Sequence, residues 1–442
     1  MPHRLITENR VAAEPNDRSA VSTPPRDGDG DARVAWASAP DATATAPASP
    51  PIPLRFNMQE LAGSFGDLGT FLPLVVSVCQ KSHLDIGAVF VCAGALNIAT
   101  GLLFRQPIPV QPMKALAAVA ITEGMGLGGL VAAGIFMGVI LVLLAGSGLV
   151  DRVSQWVPRW VVRGIQLGVG AKLALEGGKY IWQLPAIGWD SWLTAILLGA
   201  GVVGVVSRRQ PALLYVFVLG FVLLYLGRPE TYAGVSLSLP AFTFHWPAGS
   251  DWLDGLVRGT VPQLPLTLLN SVVAVCALSA EYFPRHPISP RRMAMSVGMM
   301  NLLTVPIGVM PMCHGAGGLA GQYHFGARTG GSVVMLGAVK IAAGLAFGSA
   351  ILGLLAAYPR AILGIMLIGA GFALAWVARD ARRPAQLLVV LATAASCIVF
   401  STAIGFVVGC ATAGMLALMG KVADQQTGCN DRADARDPAD RG

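Results

Sequence analysis

Pro107-Ile108-Pro109-Val110-Gln111-Pro112-Met113 recurs as Pro306-Ile307-Gly308-Val309-Met310-Pro311-Met312, with every position moved by 199 residues. Five of the seven positions are identical. Each copy lies in apolar sequence, is broken by prolines and leads into small residues. The first leads into Lys114-Ala115-Leu116-Ala117-Ala118, the second into Cys313-His314-Gly315-Ala316-Gly317-Gly318. A residue before proline is pushed out of the helical region, so Ile108, Gln111, Val305 and Met310 are expected to be extended. Each phrase then becomes a short extended stretch followed by a half-helix starting near Pro112 or Pro311. Proline suits a first helical position because its missing N–H would have had no partner there. Paired Pro/Gly-interrupted segments in the two halves of a membrane chain point to a carrier's midplane site.

The rest of the chain agrees with a membrane setting. Apolar residues make up 54% of the 442, charged residues 12%, and there are 53 glycines. Runs long enough to cross a bilayer, which takes roughly 20 residues, recur from Phe56 to Met419. The first half divides into seven spans near 57–79, 86–104, 107–123, 127–149, 158–176, 190–206 and 211–227. The second divides into seven near 261–280, 291–305, 306–325, 331–356, 359–377, 384–401 and 402–420. The expected fold is an all-α membrane protein with 14 transmembrane segments arranged as a 7+7 inverted repeat, since an odd number of spans per half inverts the second half. Segments 3 and 10 are the half-helices. The expected divisions are a disordered cytoplasmic tail over 1–54, the first repeat over 55–227, an outer connection over 228–260, the second repeat over 261–420 and a disordered tail over 421–442. Trp246 and Trp252 in the connection suit interfacial anchors.

The formal charge of +7 forms no basic stripe with aromatics, so no nucleic-acid partner is expected. With the N-terminus inside, the pairs Arg208-Arg209, Arg291-Arg292 and Arg382-Arg383 fall on the cytoplasmic side. Lys81, Lys179, Arg228, Arg258 and Arg360 fall outside. This is the positive-inside bias, and it puts both termini in the cytoplasm. Met1–Arg10 lacks the apolar core of a signal peptide. The seven cysteines show no CxxC or metal-ligand spacing, which leaves them as small packing residues; Cys313 stands out because it lies in the repeated phrase. No nucleophile set, paired metal ligands or nucleotide loop emerges. Neither an enzyme nor a cofactor is expected.

A half-helix starting in mid-membrane points unpaired N–H groups and partial positive charge at the cavity, which makes an anion site. Lys114 adds a cation in the first turn of one such helix, and His314 a donor near the other. Gln263, Thr267, Asn270 and Ser271 share one face of the eighth span at helical spacing. Ser64, Asp67 and Thr70 do the same in the first. Asp67 is the candidate coupling group, because a carboxylate beside an anion must be protonated or repel it. His314 is the candidate second proton carrier. Either stripe alternatively holds helices together, and Lys114 alternatively forms a salt bridge with Asp67. Glu123, Glu176 and Glu281 lie near span ends and are weaker candidates.

Four segments carry a resemblance. They are Phe65-Gly66-Asp67-Leu68-Gly69-Thr70-Phe71-Leu72-Pro73, Pro109 to Ala115, Pro262 to Ser271, and Pro311 to Tyr323 with Gly326 to Gly331. They resemble the signature segments of the molybdate transporters related to sulfate permeases, over roughly residues 55–420. The resemblance implies a sulfate/uracil permease-like fold, import of molybdate and a multi-pass protein of the inner (cytoplasmic) membrane. It places substrate between the third and tenth half-helices, lined by the first and eighth spans. The implied contacts are Gln111, Met113, Lys114, Ala115, Gln263, Thr267, Asn270, Cys313, His314, Gly315 and Ala316, with Asp67 for coupling. Expected partners are a molybdate or sulfate oxyanion, protons, the lipid bilayer and a second copy of the chain as a homodimer. Sulfate permeases carry a soluble domain after the last span, and only a short tail follows Met419 here. Sulfate transport on the same fold is the nearest alternative. A nucleobase carrier is more distant, since it would want an acid where Asn270 stands.

Overall fold

Apolar sequence with few breaks folds as expected into helices, and the breaks decide where the binding region lies. The computed structural model describes residues 50–65, 68–156, 158–206, 212–233, 239–348, 350, 353–354 and 357–434. In chain order these hold α1 (Met58–Ser64), α2 (Leu68–Ser82), α3 (Ile86–Phe104), β1 (Val110–Pro112), α4 (Lys114–Glu123), α5 (Leu127–Ser147) and α6 (Val150–Trp156). There follow α7 (Arg159–Trp182), α8 (Trp192–Val206), α9 (Ala212–Gly227), α10 (Glu230–Ala233) and the long run α11 (Gly249–Tyr282). The chain continues with α12 (Pro290–Thr304), β2 (Met312–His314), α13 (Ala316–His324), α14 (Gly331–Phe347), α15 (Arg360–Ala375), α16 (Pro384–Val399) and α17 (Thr402–Asp434). Five described helical runs are long and apolar enough to cross a membrane unaided: 86–104, 127–147, 249–282, 360–380 and 402–419.

Several expected boundaries moved. The expected first span holds α1 and α2, and Gly66 and Asp67 between them lie outside the described residues. α11 starts at Gly249, inside the expected connection, and contains two π-helical stretches, Gly255–Thr260 and Thr267–Val273. Pro262 and Pro265 lie in this run. Proline has no N–H for the α ladder, and widened turns absorb such mismatches. α17 is described to Asp434, and residues 435–442 of the expected tail lie outside the described residues. Residues 50–54 are not a free tail either: Arg105 Nη1 donates to Ile52 O at 3.2 Å, and Arg55 N–H donates to Thr329 Oγ1 at 3.2 Å. The remainder of the expected N-terminal tail lies outside the described residues.

The two repeated phrases meet. β1 and β2 pair antiparallel, with Val110 opposite His314, Gln111 opposite Cys313 and Pro112 opposite Met312. One residue after each strand a short helix begins. The extended-plus-half-helix arrangement is therefore present, but the helices start at Lys114 and Ala316, not at Pro112 and Pro311. Strand and helix starts recur at a step of 202 residues, from Val110 to Met312 and from Lys114 to Ala316. The identical letters, at a step of 199, are thus out of register with the structure. The shift arises because Val305–Ile307 forms a 3-10 turn closed by Gly308 at φ 82°. Val305 is helical (φ −66°, ψ −41°), against the pre-proline expectation. Its N–H bonds Asn301 O, and its side chain is fully buried against Gly134. Helix continuation and packing outweigh the local bias.

Unpaired strand edges in an apolar interior need partners. Two buried asparagines supply them. Asn97 of α3 accepts from Val110 N–H through Oδ1 at 2.7 Å. Asn301 of α12 accepts from Met312 N–H at 2.9 Å and donates to Met312 O at 2.7 Å. Each crossover is thereby tied to the helix that precedes it.

Helix pairing follows glycine. Gly87, Gly94 and Gly101 of α3 face Gly344, Gly337 and Gly330 at α14, antiparallel at seven-residue steps that keep one face. Gly170 and Gly177 of α7 face Gly371 and Gly364 of α15 in the same manner. A Cβ on Gly94 would lie 2.6 Å from Gly337 O, a backbone atom that cannot swing aside. Gly94→Val is therefore expected to destabilise the protein by about 1–3 kcal/mol, the usual cost of overpacking. Thermal unfolding in detergent measures it, and a melting temperature equal to wild type would contradict this packing.

Candidate functional site

The antiparallel strand pair sets the N-termini of α4 and α13 beside one another. The first N–H groups of a helix have no intrahelical acceptor. In α4, Leu116 N–H is taken by Gln263 Oε1 at 3.1 Å, and Ala117 N–H by Met113 O at 2.8 Å. Lys114 and Ala115 N–H remain at the helix end. In α13, Gly318 and Leu319 N–H both reach Gly315 O at 3.0 Å, which leaves Ala316 and Gly317 N–H at the corresponding end.

A cavity of about 200 Å³ opens at this meeting point. It is lined by Leu74 of α2, Gln111 of β1, Lys114 of α4, Gln166 and Leu173 of α7, Asn270 of α11, and Gly317 and Gly318 of α13. Ala370, Ala373 and Leu374 of α15, with Val377 just beyond, complete the wall. At roughly 30 Å³ per water, that volume holds an anion of four oxygens with water to spare. Among the described residues the lining carries one cation, three carboxamides and no carboxylate. Lys114 is the first residue of α4. A cation at a helix N-terminus opposes the dipole by about 0.3–1 kcal/mol. No carboxylate among the described residues forms a salt bridge with Lys114. A bound anion would reverse both effects.

Of the residues singled out from the sequence, Gln111, Lys114 and Asn270 line the cavity together. The widened turn Thr267–Val273 carries Asn270 and splits the expected polar stripe. Gln263 turns instead to α4: besides capping Leu116, its Nε2 donates to Thr267 Oγ1 at 2.8 Å. These two residues shape the helix end and do not line the cavity. Met113 is fully buried, and its N–H donates to Pro311 O at 3.0 Å. Ala115, Cys313 and Ala316 are buried as well. Gly315 is required by space: a Cβ there would fall on Gln111 Oε1.

His314 faces the other way. Its Nδ1 donates to Pro109 O at 3.3 Å, its Nε2 shares a hydrogen bond with Ser296 Oγ at 3.0 Å, and its ring meets Phe104 edge-on at 5.9 Å. It braces the strand pair from behind and is absent from the cavity wall. Asp67 lies outside the described residues, as does the Thr70 side chain. Ser64 donates to Leu61 O at 2.7 Å within its own helix.

Sequence reasoning missed Gln166, Gly317 and Gly318. Gln166 accepts from Arg163 Nη1 at 3.0 Å; a lone amide in the apolar fifth span was its signal. It also missed how the half-helices are pinned at their far ends. Glu123, at the end of α4, pairs with Lys172 of α7 at 2.6 Å and accepts from Thr402 Oγ1 at 3.1 Å. Arg258 Nη2 donates to Glu123 O at 2.6 Å, capping the negative end of α4. Beyond α13, Glu60 accepts from Arg328 and Thr329 N–H at 3.0 and 3.2 Å. The α4 and α13 N-termini are thus held in place by contacts on four other helices.

Facing half-helices around a cation-bearing cavity, inside a bundle of apolar helices, define a membrane transporter. Solved structures share the fold. The transmembrane domain of the cyanobacterium bicarbonate transporter BicA aligns over 79% of this chain and 96% of its own, with TM-score 0.56 and 16% identity. The murine Solute Carrier 26 family member A9 anion transporter, in its inward-facing state, aligns over 83% of this chain and 69% of its own, with TM-score 0.62 and 13% identity. Sequence comparison is more specific. A family model described as molybdate transporter of MFS superfamily matches residues 59–173 and 255–374. Molybdate transporter 1 of Arabidopsis thaliana is 37% identical over 397 residues, spanning 80% of this chain and 87% of the relative. Molybdate transporter 1 of Chlamydomonas reinhardtii is 33% identical over 469 residues, spanning 80% and 90%. The chain belongs to the molybdate transporter family.

Proposed function

We propose that this protein is a secondary active carrier that imports molybdate across a cytoplasmic membrane together with protons. The observation that carries the site is the lining of the cavity by Lys114, three carboxamides and two helix N-termini. Gln111, Lys114, Asn270 and the N–H groups of Ala115, Ala316 and Gly317 are the anion contacts. Gln263 and Thr267 act behind them by fixing α4. The frame we assign is fourteen segments in two inverted halves, with both termini cytoplasmic. Its support is symmetry. The second segment of each half packs on the fourth of the other, α3 on α14 and α12 on α5, and Asn97 and Asn301 play matching parts.

Uptake of labelled molybdate into proteoliposomes, with and without excess sulfate, tests this reading. Uptake that persists against sulfate supports it. Uptake abolished by sulfate and matched by labelled sulfate makes the protein a sulfate carrier.

Importing an anion against an inside-negative potential costs about 2.3 kcal/mol per net charge at 100 mV. Two protons cancel that cost for a dianion, and three let the potential drive uptake. Asp67 is our proton site. His314, the other candidate proton carrier, is engaged on both ring nitrogens behind the strands. Uptake is expected to rise as outside pH falls. Asp67→Asn is expected to lose that dependence while still binding molybdate, measured as uptake and binding on one purified variant across pH. A variant that keeps the wild-type pH response removes Asp67 from coupling.

A further inference from the structure

A second cavity shares no lining residue with the first. A groove of about 610 Å³ runs between α3 and α12. Its walls are apolar, with Leu96, Leu103, Met299 and Leu303 along its length. Leu103 and Leu303 are 57% and 64% exposed, so no other described helix covers them. From Arg291 to Leu303 the groove follows α12 for about 18 Å at 1.5 Å per residue. That is slightly more than half of the roughly 30 Å hydrocarbon core, the depth of one leaflet.

One end is cationic. Arg291 and Arg292 are both exposed and both line the groove. The Arg292 guanidinium lies 5.8 Å from the centre of the Phe104 ring. Arg291 Nη2 donates to Gly146 O at 3.4 Å. Neither forms a salt bridge with a carboxylate among the described residues. A guanidinium has five N–H donors, so most remain available to a ligand. An apolar channel of one-leaflet depth ending in two arginines is complementary to a single chemistry, an acyl chain joined to a phosphodiester anion. Basic pockets between membrane helices on the cytoplasmic side are suited to anionic headgroups.

We infer that the α3–α12 groove is a binding site for an anionic glycerophospholipid, with one acyl chain along Leu96–Leu303 and the phosphate on Arg291 and Arg292. This places the lipid in the cytoplasmic leaflet, which rests on the orientation proposed above. The occupied groove lies directly behind the strand pair. Ser296 lines it and holds His314 Nε2, so lipid and β2 share one hydrogen-bonded contact.

Native mass spectrometry of the full chain tests this, in micelles holding equal amounts of dioleoylphosphatidylglycerol and dioleoylphosphatidylcholine. Wild type is expected to retain the phosphatidylglycerol in preference, roughly thirtyfold from two arginines. The exposed double change Arg291→Gln with Arg292→Gln is expected to bring the two lipids near parity, and the corresponding pair of lysine changes to keep most of the preference. Ala99→Trp, which fills the groove from its exposed α3 wall, is expected to lose the bound lipid of either kind. Melting temperatures check that each variant is folded. Equal retention of both lipids by wild type overturns the inference, as does a preference that survives the glutamine pair. A dimer that excludes lipid from the groove overturns it too. Molybdate uptake is not read in this experiment, so the result stands apart from the transport reading.

Discussion

Lys114→Ala is expected to abolish saturable molybdate uptake. The change removes a charge-assisted hydrogen bond to the anion, at a cost on the order of 2 kcal/mol or more, roughly thirtyfold in affinity. Position makes the prediction sharper. Lys114 begins α4, where its charge works against the helix dipole. Without the anion, alanine there should leave the melting temperature unchanged or raise it slightly. A lysine with a purely structural role would give the opposite pattern, lower stability with binding retained. Lys114→Arg is expected to be impaired as well, because a planar fork does not replace a compact ammonium in a cavity of about 200 Å³. Equilibrium binding of molybdate and thermal unfolding, measured on the same preparations, separate the outcomes. Near-wild-type binding by Lys114→Ala would remove the lysine from the site.

Gly317→Leu is expected to block the cavity and leave the fold intact. Gly317 lines the cavity, and a Cβ built on it meets no atom within 4 Å. The added side chain therefore projects into the space assigned to the anion. The loss in apparent affinity should be at least about fivefold, the lower end of the ~1–3 kcal/mol typical of overpacking. Gly317→Ala should fall between it and wild type. The contrast with Gly94 is informative. At Gly94 a new side chain strikes the backbone of a neighbouring helix and should lower stability; at Gly317 it should lower binding alone. Uptake by Gly317→Leu equal to wild type would mean that the anion lies elsewhere.

The two proline-broken phrases were legible because proline acts locally. It removes an N–H and biases its predecessor, and both effects are written in adjacent letters. The same locality produced the errors. Val305 precedes a proline, yet it stays helical because α12 and Gly134 hold it. The letters repeat at one step and the strands at another because a 3-10 turn intervenes. The glycine steps in α3 and α14 were also readable, as a seven-residue spacing in two apolar spans, though which span faced which was not.

Candidate residues divided along the same line. Lys114 declared itself from the sequence, since a cation in an apolar span must face something polar. The amides and His314 did not, since each can serve a ligand, a backbone or a helix end. Gln263 went to Leu116 N–H, His314 to Pro109 O and Ser296, and Asn270 and Gln166 to the cavity. By itself the sequence determined the membrane setting, the two broken segments and the lysine between them. These follow from composition and backbone chemistry within a few residues. Only the tertiary structure decided which polar groups meet at the cavity. A hydrogen bond forms with whatever group packing brings within about 3 Å, and residues such as Gln263 and Leu116 are brought together by the fold across 147 positions of sequence.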